Sequence, residues 1–251
     1  MQAMYKISLV LVSGLALFYA FQGFYPDCMS FFSNAFPPFI AGAAVISSGF
    51  GLRKYGRNLK ERFSIVWLFF TAGMLLWFLG ELGWAVYTLL LNVEIPYPSI
   101  ADVFWLSGYV PFFIALYLYV KNFASVLSRR MLCIVLGIVV ILCALASVTL
   151  ITPIIGAEED PIALVVDFAY PLLDLLLFSV ATLGLAIFSK GSLGKSWLLI
   201  NVGILMDVAG DMLFSYTTAQ GTYYSGHPLE LFFHWGYMLF LLAFYVHTKE
   251  L

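Results

Sequence analysis

The sequence predicts an all-α membrane protein of eight transmembrane helices, arranged as two parallel four-helix repeats. Three observations predict it. First, the 251-residue chain is 63% hydrophobic and only 10% charged, whereas a soluble domain needs about 25% charged residues to cover its surface. Second, all twelve Lys and Arg fall at the two termini and in one alternating set of loops. Third, Trp, Gly, acidic and Tyr positions recur at a spacing of roughly 130 residues.

A helix needs about 20 apolar residues to cross the hydrocarbon. The hydropathy predicts spans at 5–23, 35–52, 63–91, 100–120, 131–152, 161–188, 196–216 and 228–247. The first apolar run could pass for a signal peptide, but the repeat needs it as an uncleaved helix. The fourth span opens on Ser99-Ile100-Ala101-Asp102, a capping box in which Ser99 is expected to accept from the backbone N–H of Asp102 and Asp102 to reach back to the N–H of Ser99. Asp160-Pro161 starts the sixth span. His227-Pro228-Leu229-Glu230 starts the eighth, with Pro228 at the first helical position and Glu230 favoured by the helix dipole. Cys28 is expected in a short outer loop, and Cys133 and Cys143 inside the fifth span, so no disulfide framework or zinc spacing is present.

Charge gives the orientation. Arg53, Lys54, Arg57, Lys60 and Arg62 lie in one loop, Lys121, Arg129 and Arg130 in another, Lys190 and Lys195 in a third, and Lys6 and Lys249 mark the ends. The intervening loops carry Asp27, Glu94, Glu158, Glu159 and Asp160 and no basic residue. The positive-inside rule makes the basic set cytoplasmic, with both termini. The expected location is the plasma membrane, with the lipid bilayer as first partner. A net charge of −2 gives no reason to expect a nucleic-acid partner.

The repeat divides the chain into 1–125 and 126–251, one integrated membrane domain. Trp67, Gly73, Gly80 and Glu81 recur as Trp197, Gly203, Gly210 and Asp211. Asp102, Gly108, Tyr109, Ala115, Tyr117 and Lys121 recur as Glu230, Gly236, Tyr237, Ala243, Tyr245 and Lys249, and Pro38 matches Pro171. An even number of spans per unit gives both the same orientation, with a pseudo-twofold axis along the membrane normal.

Acidic residues in the spans are the candidate functional groups. A carboxylate in hydrocarbon costs about 2.5–3.5 kcal/mol, so it faces the protein interior or a cavity. Glu81 lies in the outer half of span three, Asp174 mid-way along span six, and Asp207 and Asp211 one turn apart on span seven. Asp167 and Asp174 share a face two turns apart. Glu230, His234 and Tyr237 form a polar stripe on span eight, matched by Asp102, Leu106 and Tyr109 on span four. The second half adds His234, Asp174 in place of Ala41, and Asp207 in place of Trp77. One reading is structural: protonated acids bonded to Tyr, Trp and Ser would tie helices together at roughly 0.6–2 kcal/mol each. Capping alone would account for Asp102 and Glu230. The other reading is a pocket open to the outer face, floored by Asp174 and Asp207 and walled by Glu81, Asp211, Glu230 and His234, for a cation, a protonated amine or a lipid headgroup.

No H-E-x-x-H or Cys/His spacing supports a zinc site, although a carboxylate-bound hard cation stays open. No G-x-S-x-G is present, and the glycines read as close-packing positions. The cofactor stays unknown.

Three motifs carry a resemblance: P-S-I-A-D-V-F-W-L-S-G-Y-V-P at 98–111, Y-P-L-L-D-L-L-L at 170–177 and G-D-M-L-F at 210–214. Over most of its length the chain resembles the multi-helix membrane sensor regions N-terminal to bacterial diguanylate cyclases, phosphodiesterases and sensor kinases. That resemblance would carry function at Asp102, Asp174 and Asp211. The chain stops at Leu251 with no output domain after the last helix, so signalling is expected to need a separate cytoplasmic partner. G-D-M-L-F with H-W-G-Y-M-L-F at 234–240 is also similar to the lysoplasmalogenase (YhhN-like) family of membrane hydrolases. By that similarity Asp207, Asp211 and His234 would form the hydrolytic set. The sequence thus favours a sensory or small-ligand-binding protein using Glu81, Asp102, Asp174, Asp207, Asp211, Glu230, His234 and Tyr237. An intramembrane lipid hydrolase and a cation or small-solute carrier are the alternatives.

Overall fold

A computed structural model describes residues 2–55, 61–151, 160–188 and 194–250, and among these it holds no strand. The helices are α1 (Gln2–Ala20), α2 (Pro26–Lys54), α3 (Arg62–Ala85, continued by a π turn Val86–Leu91) and α4 (Ile100–Asn122). They continue as α5 (Arg129–Ala146, with a π turn Ser147–Ile151), α6 (Pro161–Phe188), α7 (Lys195–Ala219) and α8 (Glu230–Glu250). Seven of them, α2 to α8, are long and apolar enough to cross a membrane, whereas α1 offers a shorter apolar stretch, Lys6–Ala20. Arg57, Lys60, Glu158, Glu159 and Lys190 lie outside the described residues.

Local chemistry sets the helix starts. At α4, Asp102 Oδ2 accepts from Ser99 N at 2.7 Å while Ser99 Oγ accepts from Ala101 N at 3.2 Å. Asp160 Oδ2 accepts from Ile162 N at 3.1 Å and opens α6. Before α8, His227 Nδ1 accepts from Leu229 N at 3.2 Å, and Glu230 Oε1 accepts from Gly226 N at 2.9 Å. His227 thus takes the place that Ser99 holds in the first half. One boundary needs correction. The second helix starts at Pro26, well before residue 35, so Asp27 and Cys28 lie in its first turn and not in a loop. Pro26 at the first position and Asp27 at the positive dipole end favour initiation there. Pro37 and Pro38 lie inside the helix, where membrane helices tolerate them.

Packing follows a closed order. Helices α2, α3, α4, α6, α7 and α8 each pack on the next, and α8 returns to α2. The interior of this ring is filled with aromatic side chains: Phe112 stacks near Phe240 at 6.0 Å, and Phe70 lies 5.5 Å from Trp197. Helix α1 packs outside on α8, and α5 outside on α6. A strict repeat would put α5 on α4, so the first helix of each half departs from it.

Contacts at matched positions correspond. A Cβ on Gly73 would meet the Phe112 ring at 2.8 Å, and one on Gly203 the Phe240 ring at 2.9 Å. Likewise Gly80 lies under Trp105 and Gly210 under Phe233. Lys121 sits 5.7 Å over Tyr117, as Lys249 does over Tyr245.

Polar contacts join α2 to α8 where the ring closes. Lys54 Nζ donates to Thr248 O at 2.8 Å, and Tyr55 Oη lies 2.5 Å from His247 Nε2. At the other end, Tyr19 ties the outer helix α1 to the ring by donating to Glu230 of α8 at 2.8 Å.

Candidate functional site

The acidic residues meet tyrosine hydroxyls, the kind of contact that one of the two sequence readings described. Tyr109, two and a half turns into α4, points its hydroxyl at Asp174 Oδ1 on α6 (2.5 Å) and Asp211 Oδ2 on α7 (2.9 Å). Those two carboxyls are also hydrogen-bonded to each other. A phenol has one proton, so three mutually bonded groups require a second on a carboxyl.

Tyr237 makes a contact of the same kind between α8 and α3. Its hydroxyl donates to Glu81 Oε1 at 2.7 Å, and Glu81 also accepts from the Trp105 indole. By sequence spacing, Tyr237 and Glu81 match Tyr109 and Asp211. Each tyrosine thus reaches the acid of the opposite half.

Asp207 has no such donor. It is 2% exposed, and its Oδ2 makes no hydrogen bond. Its carboxyl lies against the bare backbone of Gly236, where a Cβ would come within 2.5 Å of Oδ1. In the first half Trp77 occupies the equivalent place against Gly108. Asp211, Glu81 and Asp174 are its electrostatic neighbours. Four acids from α3, α6 and α7 therefore converge, and among the described residues no Lys or Arg pairs with them.

A second polar group lies at the end where α8 begins. Glu230 accepts from Tyr19 at 2.8 Å and from Tyr223 at 2.9 Å. Tyr19 Oη also lies 3.0 Å from His234 Nε2. If Tyr19 gives its one proton to Glu230, His234 supplies the next, and the three form a relay. The imidazole stacks on Phe36 at 5.0 Å. Burial, and next the nearby Glu230, push the Tyr223 hydroxyl up. Asp102 combines its capping role with a bond from Tyr170 at 2.9 Å. Asp167 does not join Asp174: it bonds Tyr97.

The structure therefore brings Glu81, Asp174, Asp207, Asp211 and Tyr237 into one cluster with Tyr109. It places Glu230 and His234 in a neighbouring group, and Asp102 beside Tyr170. Within the set named from sequence, Glu81 and Asp211 keep some surface and the other six are buried. Two clefts of about 140 and 380 Å³ open in the helix wall among the described residues, and none of these carboxyls lines either. Among the described residues no group of three His, Cys, Asp or Glu is arranged to hold a metal ion. Sequence reasoning missed Tyr19, Tyr170 and Tyr223. Tyr19 and Tyr223 lie near the helix end that carries Glu230, and Tyr170 stands in the Y-P-L-L-D stretch, but their partners lie on other elements.

No model of a known protein family, no curated protein and no solved structure matches this chain. Neither likeness noted in the sequence is carried further by them.

Proposed function

We propose that the protein is a sensory or small-ligand-binding membrane protein whose site is the cluster of Glu81, Asp174, Asp207 and Asp211 with Tyr109 and Tyr237. The observation that carries this reading is Asp207: a carboxyl 2% exposed with an unpartnered oxygen. A buried carboxyl without a donor is destabilising unless something supplies a hydrogen bond or a positive charge. A protonated amine or a small cation does both.

The cluster is also placed to report. Tyr109 couples α4 to α6 and α7, and Tyr237 couples α8 to α3. A cation at Asp207 would redistribute the protons of the Asp174–Asp211–Tyr109 triangle and shift how those helices pack. The reading includes a plasma-membrane location, both termini in the cytoplasm, and a cytoplasmic partner that receives the shift. It also includes two parallel repeats, which the matched contacts Gly73–Phe112 and Gly203–Phe240 support.

The hydrolase alternative needs Asp207, Asp211 and His234 around one substrate. His234 instead faces Tyr19 and Phe36, and the partners of Asp211 are Tyr109 and Asp174.

The test is thermal melting of the purified protein in lipid nanodiscs with a panel of primary amines and inorganic cations. At least one member should raise the melting temperature saturably in the wild type and not in Asp207→Asn or Asp207→Leu. A panel without effect, or a shift that both variants retain, overturns the reading.

A further inference from the structure

The smaller cleft lies in the bundle wall between α4 and α6. Its volume is about 140 Å³ and its lining is Tyr109, Val110, Phe113, Ile114, Leu173, Leu176 and Leu177. The only polar atom those side chains carry is the Tyr109 hydroxyl. Val110 and Leu176, which are 57% and 51% exposed, form its outer lip. Tyr109 and Leu177, both buried, form its floor. Val110 is mid-way along α4 and Leu176 mid-way along α6, so in a bilayer this mouth faces hydrocarbon.

The floor connects the cleft to the carboxyls. The Tyr109 ring lines the cleft while its hydroxyl holds Asp174 and Asp211, with the unpartnered Asp207 one turn from Asp211 on α7. An apolar group in the cleft and a charged head among the acids would sit on the two sides of one side chain. Size narrows the occupant. A dry apolar cavity of about 150 Å³ takes a benzene-sized molecule, so this cleft fits one ring or a short branched alkyl group and not a full acyl chain.

We infer that the ligand is a lipophilic primary amine carrying one ring-sized apolar group, taken up laterally from the bilayer through the α4–α6 cleft. This rests on the functional reading above and names its ligand class and route. The ring occupies the cleft against Phe113, Leu173 and Leu176. The ammonium displaces the Tyr109 hydroxyl from the carboxyl pair and donates to Asp174, Asp207 or Asp211. Charge complementarity favours the amine over a neutral amphiphile, because an alcohol would leave the buried carboxyls without a counter-charge.

The experiment is equilibrium binding to the purified protein in nanodiscs, with labelled 2-phenylethylamine, ethylamine and 2-phenylethanol as probes. 2-Phenylethylamine should bind saturably, ethylamine roughly tenfold more weakly or worse because it leaves the cleft empty, and 2-phenylethanol not at all. Filling the mouth with Val110→Trp or Leu176→Trp should weaken 2-phenylethylamine at least about tenfold and leave ethylamine unchanged. Both positions are at the lipid-facing lip, so folding should survive. Equal binding of the alcohol and the amine overturns the inference. So does 2-phenylethylamine affinity unaffected by both Trp variants. If ethylamine still binds in an Asp207-dependent way in either case, the site reading stands and only the ligand class and route fail. If no amine binds, both fail.

Discussion

Tyr109 is the residue on which most of the buried network converges. Replacing it with Phe removes the hydroxyl from two carboxyls at once. Tyr109→Phe is expected to destabilise the protein by about 2–3 kcal/mol, near the upper end for loss of a buried partner. Tyr237→Phe, which removes one bond, should cost about half as much. Thermal denaturation in matched lipid measures both, and equal effects would mean that the Asp174–Asp211 pair does not depend on the phenol. At the basic end, burial pushes the Tyr55 hydroxyl from 10.0 up to about 12. A raised folded value makes its contribution full below 10.0 and lost as pH rises through about 12. Ultraviolet titration of the protein against Tyr55→Phe should show one tyrosinate forming near 12 and none missing near 10. The acids were visible in the sequence because a carboxyl in an apolar run stands out. Tyr237 was named with them and Tyr109 lay on the matched stripe, but Tyr19, Tyr170 and Tyr223 were not singled out, because Tyr is common here and a phenol near a membrane face has several uses.

Helix starts and close-packing glycines belong to the element scale, and both were largely legible. Ser99 caps α4 as the local pattern dictates, and Ser99→Ala should cost about 1 kcal/mol. Gly73 and Gly203 have rings where a Cβ would go, at 2.8 and 2.9 Å. Gly73→Ala and Gly203→Ala should each destabilise by about 1–3 kcal/mol through overpacking. Gly137, with nothing within 4 Å, should accept Ala with no loss. Melting temperatures of the three variants decide the matter, and a neutral Gly203→Ala would contradict the packing at Phe240. The start of α2 was not legible. Hydropathy placed it at residue 35, yet the helix begins at Pro26 and runs through Pro37 and Pro38, because surrounding helices in a bundle can compensate for lost backbone bonds.

The ring is a property of the whole molecule. Helices α1 to α4 and α5 to α8 meet along two seams, α2 on α8 and α4 on α6. Each half alone would expose one side of the buried acids, since Tyr109 and Tyr237 satisfy carboxyls of the opposite half. Residues 1–125 and 126–251 expressed together as separate chains should therefore copurify, and each alone should be degraded. Failure of the two to associate in a pull-down would show that the seams do not hold the halves together.

The sequence by itself determined the all-helical class, seven apolar helices of membrane-crossing length, and which loops carry the basic residues. Those follow from local hydropathy and spacing, which need no partner. Only the tertiary structure decided what each acid touches. Tyr19 and Glu230 are 211 positions apart and Tyr109 and Asp174 are 65 apart, and no local pattern specifies such a pairing. It arises when apolar helices choose neighbours by shape and the polar groups trapped between them must find donors. Asp207 found none, and that residual need is the physical basis for expecting a ligand.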